Sequence, residues 1–299
     1  MTRGKIVDAI KSGRVFISDG AWGTFLYKKG LQAGECPESW CLKHYNEVTD
    51  IAKSYINAGA DMIETNSFGG TCYKLKHFGL SEKTSEINEA AAKASRNAAG
   101  EDKWVIASIG PTGKMLITEE ITEEEMYEAF KVQAVALEKG GADAVCIETM
   151  SDLEEATLAI KATKENTHLE IICTFSFELN GRGEYRTMMG LTPESAILGV
   201  AEAGADISGT NCGNGMERMI DIVKQMRAVN TDMPILVHAN AGLPINIDGN
   251  EVFPETPEDM ANQVAKLLNA GANIIGGCCG TTPEHITAMK RAAEAWANK

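Results

Sequence analysis

Apolar positions along this chain fall into two alternating patterns. Short apolar runs bounded by glycine or polar residues read as buried strands. They are Val15–Ser18, Met62–Ile63, Trp104–Ala107, Ala144–Ile147, Ile171–Phe175, Ile207–Ser208, Ile235–Val237 and Ile274–Ile275. Apolar residues at three- and four-residue spacing predict helices over roughly 47–58, 82–99, 123–139, 152–165, 193–203, 215–229, 257–270 and 283–297. One element precedes four of the strands: Ala58-Gly59-Ala60-Asp61, Gly140-Gly141-Ala142-Asp143, Ala203-Gly204-Ala205-Asp206 and Ala270-Gly271-Ala272-Asn273. A glycine in left-handed conformation ends a helix there, and the chain turns into the next strand. Helix starts carry matching signals. Thr192-Pro193-Glu194, Thr256-Pro257-Glu258 and Thr282-Pro283-Glu284 set a hydroxyl at the cap and proline in the first turn. Thr122 with Glu125, and Ser151 with Glu154, read as capping boxes.

Eight strand–helix units of about 37 residues predict a single (β/α)8 TIM barrel spanning 1–299. An open doubly wound sheet is the alternative, but no GxGxxG follows the first strand. Lys plus Arg number 28 and Asp plus Glu 42, a net charge of −14, which argues against nucleic-acid partners and anionic membrane surfaces. No apolar run is long enough to span a bilayer, and Met1–Asp8 lacks the apolar core of a secretory signal. The eight cysteines are too sparse for a disulfide scaffold, so reduced thiols and a cytoplasmic location are expected.

In a barrel, chemistry gathers at the C-terminal ends of the strands. Those ends carry Asp19, Glu64, Glu148, Asn211-Cys212 and Gly276-Gly277-Cys278-Cys279-Gly280. Adjacent cysteines on a regular strand point to opposite faces, so convergence of Cys278 and Cys279 requires the chain to leave strand geometry, and the flanking glycines permit that. Three thiolates at one rim suit Zn²⁺ with an open fourth position. The alternative is that Cys212, Cys278 and Cys279 are merely small core residues. A three-thiolate zinc would bind and deprotonate a further thiol. With Asp19 and Glu148 available for an ammonium, an amino-acid thiol is the indicated substrate.

At these residues the sequence resembles the zinc-dependent homocysteine S-methyltransferase family. The matching segments are Asp19-Gly20-Ala21-Trp22-Gly23-Thr24, Glu64-Thr65-Asn66-Ser67-Phe68-Gly69, Ile109-Gly110-Pro111-Thr112-Gly113, Glu148-Thr149-Met150, Asn211-Cys212 and Gly276–His285. The resemblance implies zinc on Cys212, Cys278 and Cys279, L-homocysteine as methyl acceptor, and Asp19 and Glu148 as its ammonium ligands. Asn240-Ala241-Gly242-Leu243-Pro244 and Thr65–Gly69 look most like the homocysteine module of cobalamin-dependent methionine synthase. That likeness implies methylcobalamin or another methyl-corrinoid as donor in trans, carried by a separate corrinoid protein. Betaine-dependent relatives carry an aromatic residue where this chain has Gly69-Gly70, which weakens a site for a quaternary ammonium. S-methylmethionine and S-adenosylmethionine remain alternative donors, and a non-catalytic zinc- or thiol-binding barrel is the alternative of another class.

Four rim residues have two readings each. Trp22 shapes the donor side of the pocket or merely packs. Glu64 touches substrate or is a barrel acid satisfied by backbone. His238 approaches the metal or is a hydrogen-bonded core residue, the commoner case. Asn211 supplies a weak oxygen ligand or, as favoured here, hydrogen-bonds a neighbouring ligand residue. His285 is expected to cap the last helix or lie at the surface. Cys146 and Cys173 read as core, and Cys36, Cys41 and Cys72 lie in loops or first turns and are assigned no role.

Overall fold

A computed structural model describes residues 4–247 and 250–298. Its main sheet has eight parallel strands, each followed by a helix. The strands are β1 (Phe16–Ile17), β2 (Met62–Ile63), β3 (Trp104–Ile109), β4 (Ala144–Met150), β5 (Glu170–Phe175), β6 (Ile207–Asn211), β7 (Ile235–Ala239) and β8 (Ile274–Gly277). The helices are α1 (Tyr45–Asn57), α2 (Thr84–Ala99), α3 (Glu123–Lys139), α4 (Leu153–Asn166), α5 (Pro193–Ala203), α6 (Met216–Val229), α7 (Pro257–Ala270) and α8 (Pro283–Ala297). The sheet runs β1-β8-β7-β6-β5-β4-β3-β2, so its first and last strands are neighbours, as in a TIM barrel. Phe16 lies opposite Ile274, and Ile275 opposite Val237.

The seam between β1 and β2 is closed by two carboxylates. At the N-terminal end, the Asp61 N–H donates to Ile17 O at 2.6 Å, and the Asp61 carboxylate accepts from the Ile17 N–H at 3.1 Å. At the other end Asp19 Oδ2 accepts from the Glu64 N–H at 2.9 Å. The Asp61 device recurs. Asp143, Asp206 and Asn273 each accept from the first amides of the preceding strand, at Val105, Ile171 and Ile235. The polar residue of the sequence repeat is therefore a strand-to-strand clamp. The glycines of that repeat have φ of 105° at Gly59, 100° at Gly141, 94° at Gly204 and 112° at Gly271, the expected left-handed turns. Asp61 also pairs with Arg14, Lys103 and Lys290. Asp61→Ala is expected to cost about 2–4 kcal/mol in chemical unfolding, because it strands a buried amide and three cations, whereas Asp61→Asn loses only part of that.

Period-two alternation divides the barrel interior into layers. Phe16, Met62, Ile106, Cys146, Ile172 and Leu236 belong to one buried apolar cluster, which Ile6 and Ile10 of a short helix before β1, Ile6–Ile10, join. Two residues further along the same strands, the interior positions turn polar: Ser18, Glu64, Ser108, Glu148, Thr174 and His238, all buried. An apolar floor thus supports a polar cup that opens at the C-terminal rim. Cys146 and Cys173 are fully buried, as the core reading expects.

Helix caps follow the sequence signals with one correction. Thr122 and Glu125 form the expected capping box, and Thr192 and Thr256 cap through their hydroxyls. The expected Ser151–Glu154 box does not form; Asp152 is the cap and accepts from the Glu154 N–H at 2.8 Å. A carboxylate one residue nearer the helix wins because its charge faces the exposed amides of the first turn. Short helices in the loops after β1 and β2, Gly23–Lys29, Trp40–Lys43 and Cys72–Lys76, were not foreseen from periodicity. Four to seven residues are too few to show a helical repeat.

Candidate active site at the barrel mouth

The strand ends bring Cys212, Cys278 and Cys279 together. Their sulfurs all lie within 4.8 Å of one another, and Cys212 Sγ stands 3.9 Å from Cys279 Sγ. Backbone geometry builds the cluster. Cys212 adopts a left-handed φ of 58°, rare for a residue with a side chain, and its N–H donates to His238 O at 3.0 Å. The Cys278 N–H donates to Ala239 O at 2.7 Å, and Ala241 N–H donates to Cys279 O at 3.0 Å, so the chain has left β8 at the paired cysteines. Gly276 is obligatory here: a Cβ would stand 2.8 Å from both Asp19 O and His238 Cδ2.

Sulfurs held about 2.3 Å from one ion at tetrahedral angles stand about 3.8 Å apart, close to the separation observed, so the donor set fits a soft or borderline metal such as Zn²⁺. Charge is shared unequally among the thiols. Hydrogen bonds from Cys278 and Cys279 pull the Cys212 thiol well below its ordinary range, and the Asn240 side chain assists. The same contact with Cys212 pushes Cys278 and Cys279 upward.

Two carboxylates share this rim. Asp19 is fully buried, and its oxygens accept from Ser18 Oγ at 3.1 Å, Trp22 Nε1 at 2.9 Å and the Glu64 N–H. Burial raises its pKa to about 6 against those donors. Glu148 accepts from Ser108 Oγ and, at 3.1 Å, from Asn211 Nδ2. Burial raises it to about 7, and the negative charges of Cys212 and Asp19 add to the rise. Thr149, next to Glu148, has a left-handed φ of 59°, and its N–H donates to Asn211 Oδ1 at 2.8 Å. Among the described residues no lysine or arginine pairs with Asp19, Glu64 or Glu148. A buried cluster of acids with no cation calls for a cationic ligand.

The rim residues with two readings are now placed. Asn211 Oδ1 is committed to Thr149 N–H and Thr174 Oγ1 and its amide to Glu148 and Thr149 Oγ1, so it orients Glu148 rather than offering a free oxygen. Trp22 holds Asp19. His238 is buried and lies outside the three-cysteine group, with Nδ1 3.5 Å from Glu64 Oε1; burial pushes its pKa down to about 3. His285 Nδ1 accepts from the Thr282 N–H at 3.1 Å, a helix cap. Cys36 and Cys41 are buried against Glu38 and Asn66, apart from the cluster. Ser108 was not singled out from the sequence, and Asn240 entered only as part of the segment Asn240–Pro244. Ser108 was legible in principle, since it shares the interior parity of Ile106. A cavity of about 910 Å³ lies beside the mouth, among loops after β3, β4 and β5, and includes Ile117, Leu153 and Met189.

The eight-stranded barrel thus carries a thiol cluster at its C-terminal rim, beside acids that pair with no lysine or arginine among the described residues. The homocysteine S-methyltransferase family matches residues 16–293, and the chain belongs to that family. The methionine synthase of Mycobacterium leprae (strain TN) is 28% identical over 291 residues, covering 91% of this chain and 24% of that protein. The methionine synthase of Mycobacterium tuberculosis is 27% identical over 295 residues, covering 93% and 24%. The chain thus spans about a quarter of the length of these curated relatives. Among solved structures, the metallated form of the homocysteine methyltransferase MmuM from Escherichia coli superposes with a TM-score of 0.77 at 21% identity, over 95% of this chain and 98% of that one. A methyltransferase from Methanosarcina mazei shares the fold more distantly, with a TM-score of 0.63 at 10% identity, over 99% of each chain. Among the described residues no helix is long and apolar enough to cross a membrane.

Proposed function

We propose that the protein transfers a methyl group from a methyl-corrinoid, carried on a separate protein, to the thiol of L-homocysteine, giving methionine. The observation that carries this reading is the convergence of three sulfurs within 4.8 Å on a rim that also bears two buried carboxyl groups without a cation. One half of the rim suits a sulfur and the other an ammonium, which are the two ends of an amino-acid thiol.

Cys212, Cys278 and Cys279 would hold Zn²⁺. When bound, the metal supplies a Lewis-acid position that ionises an incoming thiol while leaving its sulfur nucleophilic. The residues of the chain do the rest. Asp19 and Glu148 take the substrate ammonium, and their own donors fix both carboxylates before substrate arrives: Trp22 and Ser18 for Asp19, Ser108 and Asn211 for Glu148. Holding the ammonium sets the distance from which the sulfur faces the open rim, so binding energy becomes orientation. The thiol proton leaves to solvent. The thiolate then attacks the methyl carbon in line, and the donor departs with its bonding electron pair.

Two features support a large donor. Phe68, Met115, Ile117, Met188, Met189 and Leu243 are exposed apolar side chains in the loops of the same face. The segments Thr65–Gly69 and Asn240–Pro244 resemble those of cobalamin-dependent methionine synthase. The test is methionine formation from L-homocysteine under anaerobic conditions with a panel of donors. Methylcobalamin is expected to support turnover, with conversion of methylcob(III)alamin to cob(I)alamin. Turnover with S-methylmethionine, S-adenosylmethionine or betaine, and none with methylcobalamin, would reassign the donor while keeping the acceptor.

A further inference from the structure

Where β8 meets β1, a threonine that the proposed reaction does not use joins the two halves of the site. The β8–β1 ladder runs on past the end of β1: the Ser18 N–H donates to Ile275 O at 2.9 Å and the Gly277 N–H to Asp19 O at 2.8 Å. Beyond that last rung the two segments part. Asp19–Trp22 leads to the acid side, and Cys278–Thr281 turns back around the cysteines. The Thr281 hydroxyl bridges them. It donates to Cys278 O at 2.7 Å and accepts from the Ala21 N–H at 3.0 Å. Thr281 and Ala21 are both buried, and a Cβ on Gly20 would stand 2.7 Å from Thr281 Oγ1. From α1 the fully buried Tyr55 hydroxyl donates to Ala21 O at 2.7 Å, so Ala21 is held through both its backbone groups.

The two contacts of this hydroxyl fall at sensitive points. The Cys278 carbonyl belongs to the peptide that joins the adjacent cysteines, so fixing it fixes how both sulfurs are presented. Ala21 precedes Trp22, whose indole N–H holds Asp19 Oδ2 at 2.9 Å. We propose that the Thr281 hydroxyl is a positioning group that couples the thiol cluster to the ammonium side, holding the Cys278–Cys279 peptide and the Asp19 segment at one mutual spacing. This inference rests on the proposed function. An amino-acid thiol reaches both halves at once, and its sulfur and amine gain from each other only when that spacing is kept. Without the hydroxyl, the Ala21 N–H is a buried donor that has lost its partner, and its segment must shift to find another. The turn itself does not depend on the hydroxyl, because the Thr281 N–H also donates to Cys278 O, at 3.1 Å.

Two measurements test it, neither of them turnover. Zinc affinity is read by competition with a chromophoric chelator. The contribution of the amine is read by calorimetric binding of L-homocysteine against 4-mercaptobutanoate, which keeps the thiol and the carboxylate and lacks the amine. Thr281→Val, alike in shape but without the hydroxyl, is expected to bind zinc about tenfold more weakly and to lose about fivefold of the preference for homocysteine. Thr281→Ser keeps the hydroxyl and should stay within about twofold of wild type in both. A Thr281→Val protein that matches wild type in either quantity would overturn the coupling, as would a Thr281→Ser loss as large as that of the valine variant. Tyr55→Phe covers the case in which Thr281→Val does not fold. Tyr55 makes no hydrogen bond to a cysteine, yet removing its bond to Ala21 should lower both quantities about threefold, and an unchanged zinc affinity would overturn the proposal. Wild-type protein that binds zinc without preferring homocysteine would overturn the proposed acceptor and with it the ammonium half of the coupling, while the zinc competition still decides the hydroxyl's hold on the cysteines.

Discussion

Cys278→Ala is expected to abolish methionine formation, lowering kcat/KM by at least about a thousandfold, and to leave the purified protein without stoichiometric zinc. The Cys278 amide bond to Ala239 survives the change, so the barrel should fold. What is lost is one of three sulfurs that lie within 4.8 Å of one another. Two thiolates and an open side make a weaker and more labile site than three. Cys173→Ala is the informative control. That thiol is fully buried on β5, so its removal should cost about 1 kcal/mol of stability as a small cavity and leave turnover and zinc content unchanged. Metal analysis and steady-state rates on the two variants separate a cysteine that binds from one that packs. Equal loss of zinc in both, or retention in both, would dissociate the metal from the mouth.

Glu148→Gln gives the second large effect. Removing its charge while keeping its shape is expected to raise the KM for homocysteine by about a hundredfold, with a smaller change in kcat, because the ammonium contact is made in the ground state. The wild-type pH profile carries the same signature. Burial raises Glu148 to about 7 and Asp19 to about 6, so each is charged above that value and neutral below it. The attraction for the ammonium is therefore present near pH 8 and fades as pH falls through 7 to 6, and kcat/KM should fall with it. Folding stability runs the other way. A carboxyl whose folded pKa lies above its unfolded value favours the folded state most below the unfolded value, near 4, and that contribution is lost as pH rises through the folded value. For Asp19 the difference between about 6 and the ordinary 3.8 is on the order of 3 kcal/mol. The protein should thus bind substrate better and unfold more readily as pH rises from 5 to 8. Glu148→Gln should flatten part of both curves, read by homocysteine kinetics and by urea midpoints.

Much of this barrel is written in local signals. The glycine-alanine-aspartate elements mark where helices end and strands begin, and threonine-proline-glutamate marks where helices start, so eight units can be counted without long-range information. The paired cysteines are legible for a similar reason. Adjacent thiols between glycines conflict with strand geometry, and the conflict points to a ligand. What stayed hidden depends on distance in sequence. Ser108 reaches Glu148 across 40 residues, and Asn211 reaches Glu148 across 63. Only the parity and stagger of neighbouring strands decide such contacts. Trp22 was open between two roles because its indole N–H has a partner, Asp19, that could be identified only once the loop after β1 had folded. The aspartates of the repeat read as part of a turn signal, yet they clamp adjacent strands, a role visible only when Asp61, Asp143 and Asp206 are seen beside the amides they accept.

The central claim is that the three cysteines form the centre that receives the substrate sulfur. X-ray absorption at the zinc edge of the zinc-loaded protein, before and after homocysteine, tests it most directly. The account predicts three sulfur ligands at about 2.3 Å at rest and a fourth after homocysteine, with no such gain on adding methionine. Zinc that keeps the same ligands when homocysteine binds, or that is not held by sulfur at all, would contradict it.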